Sequence, residues 1–191
     1  MEAGPEWTES VGAGPVGAEA VGAGAVEVGG DGRRQVGEPV IIDVDPGDEP
    51  AVAAATALFD AYRVHHGASV VPGAAGRWLA DQLGRNRLAA GLATDRAGAV
   101  QDGFGLVTWV TLPASLDLRE FVQVRDLWVC PTDRRRGVGR ALLAHVVDRA
   151  VAARASRVSL QTDAANAAAL ALYSATGFTA VSGLEILSRD L

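Results

Sequence analysis

Cysteine is nearly absent from this 191-residue chain, and its one example, Cys130, cannot close an internal disulfide, so a reducing, cytoplasmic setting is expected. Long apolar runs are missing as well. None approaches the roughly 18 residues of a membrane span, and the Met-Glu-Ala-Gly-Pro start lacks the basic and apolar stretches of a secretory signal, so no membrane partner is expected. Positive charge is in short supply, with 17 basic against 23 acidic residues and a formal net charge of -6. That balance argues against duplex nucleic acid as a partner, while leaving room for local basic clusters. Aromatic residues make up only 5%, beside 23 glycines, which suggests that part of the chain is not packed. The rest can bury a core of one ordinary domain.

The unpacked part is the segment 1–37. It is built of Gly, Ala, Val and Glu, Val11-Gly-Ala-Gly recurs at Val21-Gly-Ala-Gly, and too few large side chains are present to offset the entropy of ordering. It reads as a disordered tail, or as a segment that folds on a partner. The folded domain is expected over 38–191. Val40 to Val44 reads as a strand. Pro50 starts a helix on which Val52, Ala55, Phe59 and Tyr62 repeat until Gly67, and a shorter helix follows around Arg77 to Leu83. Leu88 to Thr94, Gly103 to Leu112 and Phe121 to Val129 read as consecutive strands of an antiparallel meander. The period then changes to that of an amphipathic helix over Arg135 to Arg154. A strand at Arg157 to Thr162, a helix at Ala165 to Ala175 and a last strand from Phe178 complete a mixed α/β fold, in which a parallel crossover joins the meander.

Chemistry concentrates where a strand, a basic glycine loop and a helix succeed one another at Val129-Cys-Pro-Thr-Asp-Arg-Arg-Arg-Gly-Val-Gly-Arg. The first turn of a helix carries unpaired amides and the positive end of its dipole, a ready site for a pyrophosphate. Gly137 and Gly139 keep Cβ atoms away from those amides, and Arg134, Arg135, Arg136 and Arg140 add charge. An NTPase loop would need Lys-Ser or Lys-Thr after the glycines, and none follows. A dinucleotide fold would need a third small residue where Leu142 stands. A solvated, arginine-rich helix start is the plain alternative.

The segment Arg134-Arg-Arg-Gly-Val-Gly resembles the Gln/Arg-x-x-Gly-x-Gly/Ala signature of the GNAT superfamily of N-acetyltransferases, and Asn166-Ala-Ala-Ala-Leu-Ala-Leu-Tyr-Ser-Ala-Thr-Gly-Phe resembles its second motif. The resemblance is sharp from Leu127 to Phe178 and weak before Phe104. It implies acetyl-CoA as cosubstrate, with the pyrophosphate on the amides from Arg135 through Val138 to Arg140. The pantetheine arm would lie along Leu127, Trp128 and Val129 where two strands splay, and Asn166 would hydrogen-bond the cofactor. Tyr173 corresponds to the family tyrosine that protonates the departing thiolate. The chemistry stands by itself: amine attack on a thioester builds negative charge on oxygen, which amides stabilise, and expels a thiolate, which a phenol can protonate.

Many relatives carry Glu-Asp where this chain has Arg125-Asp126, which makes Asp126 the candidate base, with a water chain to solvent as the alternative. Cys130 has no nearby histidine and reads as packing. His65-His66 reads as a solvated helix end, because adjacent helical residues do not face one site, and no metal is expected. Trp109, Trp78 and Tyr62 are pocket candidates whose apolar bulk also suits a core. The resemblance implies a small-molecule amine acceptor, with a peptide or protein amine or a non-catalytic acyl-CoA-binding module as alternatives, and a homodimer as a common state. The acidic balance favours a cationic acceptor.

Overall fold

In a computed structural model that describes residues 38–95, 99–183, 187 and 189, the chain forms a five-stranded sheet with helices on both faces. The tail expected at 1–37 lies outside the described residues. Strand β1 (Val40–Asp43) leads to helix α1 (Glu49–His65), which begins one residue ahead of Pro50 because Asp48 caps it, accepting from the Ala51 amide at 3.1 Å. Helix α2 (Ala74–Gly84) follows, then β2 (Ala89–Thr94), β3 (Gly105–Ala114) and β4 (Arg119–Val129). Helix α3 (Val138–Ala152) crosses to β5 (Val158–Ser159), and α4 (Ala167–Ala175) comes last. The sheet order is the chain order. β1 to β4 pair antiparallel and β5 lies parallel to β4, the meander and crossover that the sequence suggests.

Alternation within the strands sorts two cores. Leu92, Leu106 and Trp128 stand opposite one another across β2, β3 and β4 and pack with Leu58, Phe59, Leu79 and Leu83 of α1 and α2. On the other face Val107, Trp109, Val122 and Val124 pack with Val138, Leu142, Leu143 and Val146 of α3. Each fully buried leucine contributes roughly 1.5–3 kcal/mol of transfer free energy. Trp109 is therefore core, whereas Trp78 stays 48% exposed, stacked on Phe59 at 5.4 Å.

Two expectations change. Helix α3 starts at Val138 rather than Arg135, because Arg135 and Gly137 both take positive φ, 61° and 84°, and break the helical path ahead of it. No strand forms over Phe178–Gly183, and the remainder of the expected last strand lies outside the described residues except Leu187 and Arg189.

Candidate active site

One extra residue in β4 shapes the site. Pairing with β3 steps from Trp109↔Val124 to Thr108↔Asp126, so Arg125 is left over as a β-bulge and the alternation of the strand reverses there. Upstream, the Val122 amide donates to the Arg157 carbonyl at 3.0 Å and the Glu120 carbonyl accepts from Ser156, so even-numbered main-chain groups face β5. Downstream, the Cys130 amide donates back toward β3, to the Phe104 carbonyl at 2.9 Å. The groups facing outward are then those of Leu127 and Val129. Pairing with β5 ends at Gln123↔Ser159, and among the described residues no strand covers this edge beyond it. The sheet thus splits where the open main chain of β4 meets the start of α3.

That start is uncapped. Gly137 occupies the N-cap position in a left-handed conformation with no side-chain hydrogen bond, and a Cβ built on it would meet nothing within 4 Å. The first amide with a helical partner is that of Ala141, bonded to the Gly137 carbonyl, so the amides of Val138, Gly139 and Arg140 lie ahead of the helical ladder. Gly139 also has a packing role. Its Cβ position lies 3.1 Å from Leu172 Cδ2, so its bareness lets α4 approach α3 as well as leaving the amides accessible.

The four arginines divide. Arg136 is held by buried Asp133 at 3.2 Å, and Thr132 donates its hydroxyl to the same carboxylate, which braces the loop. Arg134 folds back over the Trp128 ring and donates its Nε to the Val129 carbonyl at 3.0 Å. Arg135 and Arg140 are exposed and make no ion pair among the described residues. Asn166 caps α4, its Oδ1 accepting from the Ala169 amide at 3.1 Å. Its amide NH₂ is then the group left for another partner. Cys130 packs against both cores.

Asp126 sits beside the cleft with two hydroxyl neighbours. Buried Thr108 donates to its carboxylate, and the Tyr62 phenol lies against it. Burial, then the charge and hydrogen bond of Asp126 and the nearness of Tyr173, push the Tyr62 pKa up to about 12. Burial also raises that of Tyr173, which packs edge-on to Phe178 at 6.1 Å. Tyr62, a pocket candidate from the sequence, therefore lies with Asp126 and near Tyr173 at the split. His65 and His66 are exposed at the end of α1, as expected, with their rings beside Trp128 and Tyr62. Among the described residues no cluster of three metal-ligating side chains occurs, and no helix is long and apolar enough to cross a membrane.

The folded chain holds the Tyr62 proton more tightly than the unfolded chain, whose phenol titrates near the ordinary 10.0. The associated stability is complete below pH 10 and is lost as pH rises toward 12. Urea unfolding across that window should show falling stability in the natural protein and a flatter profile in Tyr62→Phe.

Residues 103–178 match the model of the acetyltransferase (GNAT) family. No curated protein matches the sequence. Among solved structures, a probable acetyltransferase aligns with a TM-score of 0.73 at 22% identity, covering 80% of this chain and 97% of its own. The aminoglycoside acetyltransferase meta-AAC0020 from an uncultured soil metagenomic sample, in complex with sisomicin, aligns at 0.67 with 20% identity over 80% and 96% of the two chains. AAC(6')-Iy in complex with the bisubstrate analogue CoA-S-monomethyl-acetylneamine aligns at 0.66 with 16% identity over 81% and 100%. At these identities the likeness is one of fold.

Proposed function

We propose that the chain is an acetyl-CoA-dependent N-acetyltransferase that moves an acetyl group directly to the primary amine of a small-molecule acceptor, in a reducing, cytoplasmic setting that suits its single thiol. The observation that carries this reading is the edge of β4 at Leu127 and Val129, covered by no strand among the described residues, beside the amides of Val138, Gly139 and Arg140 that lie ahead of the helical ladder. The residues fit the cofactor: an open αL glycine and bare helix amides suit a pyrophosphate, and a free strand edge suits an extended, amide-bearing arm. Acetyl-CoA, when bound, supplies the acetyl group as an activated thioester.

The chain's own groups do the rest. The amides of Val138, Gly139 and Arg140 hold phosphate, with Arg135 and Arg140 supplying countercharge. Main-chain donors at Leu127 or Val129 polarise the acetyl carbonyl as negative charge builds on its oxygen. Tyr173, protonated at neutral pH, gives its proton to the leaving sulfur. Asp126 takes the proton shed by the amine, held in place by Thr108. Arg136 braces the loop and Asn166 fixes the α4 end of the cleft.

The test is a thermal-shift comparison of coenzyme A, acetyl-CoA and NAD, followed by an acetyl-transfer assay over an amine panel. Stabilisation by the two coenzyme A forms, none by NAD, and transfer to an amine are expected. Stabilisation without transfer to any amine would favour a non-catalytic binding module. An Asp126→Asn variant with an unchanged pH–rate profile would pass the proton to solvent water instead.

A further inference from the structure

The bulge that opens the edge of β4 also sets the charge of the neighbouring cavity. In a regular strand, adjacent residues point to opposite faces. Here odd-numbered residues upstream of the bulge and even-numbered residues downstream share the α1–α2 face, since Val122 and Val124 pack under α3 while Trp128 packs under α1. Arg125 and Asp126, neighbours in sequence, consequently line one cavity of about 240 Å³ together with Phe59, Trp78, Gln82 and Arg87. Neither Arg125 nor Arg87 has an ion-pair partner among the described residues. A second cavity, about 290 Å³, opens by Trp109, Arg149 and Ala153; Arg87 lines both, and Asp126 lines the first alone.

We propose that the acceptor carries a carboxylate close to the amine that is acetylated, and that Arg125 selects it while Asp126 receives the ammonium end. The proposal rests on the acetyl-transfer reading above and narrows its substrate class. One carboxylate and two exposed guanidinium groups line the cavity, which leaves it with a local excess of positive charge. Charges within the screening length of about 10 Å outweigh a net charge spread over the whole surface, so the acidic balance of the chain does not decide the acceptor. A polycationic amine would meet Arg125 and Arg87 as like charges. An amino acid or similar zwitterion offers its ammonium to Asp126 and its carboxylate to a fork of N–H donors. The parallel stack of Phe59 and exposed Trp78 provides a flat apolar floor for its side chain.

The experiment measures kcat/KM for α-amino acids, their decarboxylated amines and a polyamine, in the natural protein and in Arg125→Glu. Binding of an N-acetyl amino acid and of its carboxylate-free counterpart, in the presence of coenzyme A, is measured by calorimetry alongside. The natural protein should prefer the carboxylate-bearing partner by roughly tenfold in both readouts, and Arg125→Glu should erase or reverse that ratio. Comparing the ratio between proteins cancels the differing basicities of the amines. Transfer with no carboxylate preference, or a preference that Arg125→Glu leaves intact, overturns the proposal while acetyl transfer stands. Arg125-dependent binding of the carboxylate ligand with no transfer to any amine keeps the cavity assignment and sinks the transfer reading. Absence of both removes the two together.

Discussion

Gly139→Trp is expected to abolish stabilisation by acetyl-CoA, and acetyl transfer with it. The position lies on the first turn of α3, where a Cβ is already 3.1 Å from Leu172 of α4 and 4.0 Å from Val129 at the end of β4. An indole there has two courses: to push α4 away or to lie across the helix amides. Either closes the mouth of the split. At a concentration one hundred times its dissociation constant, a ligand stabilises by about 2.7 kcal/mol. For a chain of this size that is a rise in Tm of roughly 5–10 °C, and the variant should show none of it. Two controls separate a blocked site from a damaged fold. In Gly139→Ala the terminal methyl of Leu172 needs to yield only a few tenths of an ångström, so most of the shift should persist. Gly137→Ala meets no neighbour but forces a side chain into φ 84°, which costs about 1–2 kcal/mol of stability and should spare the ligand response. A full shift in Gly139→Trp would show that the split does not hold the cofactor.

Tyr173→Phe should lower kcat by about 10²-fold and leave KM for acetyl-CoA nearly unchanged, the signature of a group needed in the transition state and not for binding. The phenol is suited to donation because burial raises its pKa, keeping the proton in place across the neutral range. Its ring packs edge-on to Phe178, and a phenylalanine keeps that contact, so thermal stability should change little. Tyr62 is the nearest competitor for the role, but its proton is shared with Asp126. The outcome that sinks the assignment is specific: steady-state kinetics with kcat retained in Tyr173→Phe.

The layers of the fold were legible because each element buries one face and writes that face as a period. Leu142 and Val146 mark α3, and Leu106 and Val107 divide the two sides of β3. The glycine loop was legible too, since only helix amides and small residues explain its pattern. What the sequence concealed depends on contacts between distant segments. Nothing near Arg136 in periodicity says that it is spent on Asp133, and of the pocket candidates Trp109, Trp78 and Tyr62 only contacts with Asp126 and Tyr173 single out Tyr62. The start of α3 was placed too early because three arginines are good helix formers, whereas two left-handed residues override that propensity. The bulge did leave a trace. Apolar residues fall at Val122 and Val124 and then at Leu127 and Val129, a slip from even to odd that reveals one residue too many.

The slip in β4 also predicts how this strand tolerates change. Exchanging one residue for another between Val124 and Leu127 alters a side chain and leaves the strand's facing intact. Removing Arg125 would restore regular alternation, because Val124 and Asp126 already pair with the adjacent residues Trp109 and Thr108, so Trp128 would keep its core and Leu127 and Val129 their outward main chain. Shortening by one codon at Arg125 should therefore spare the fold and cost the strand its bulge and that one guanidinium.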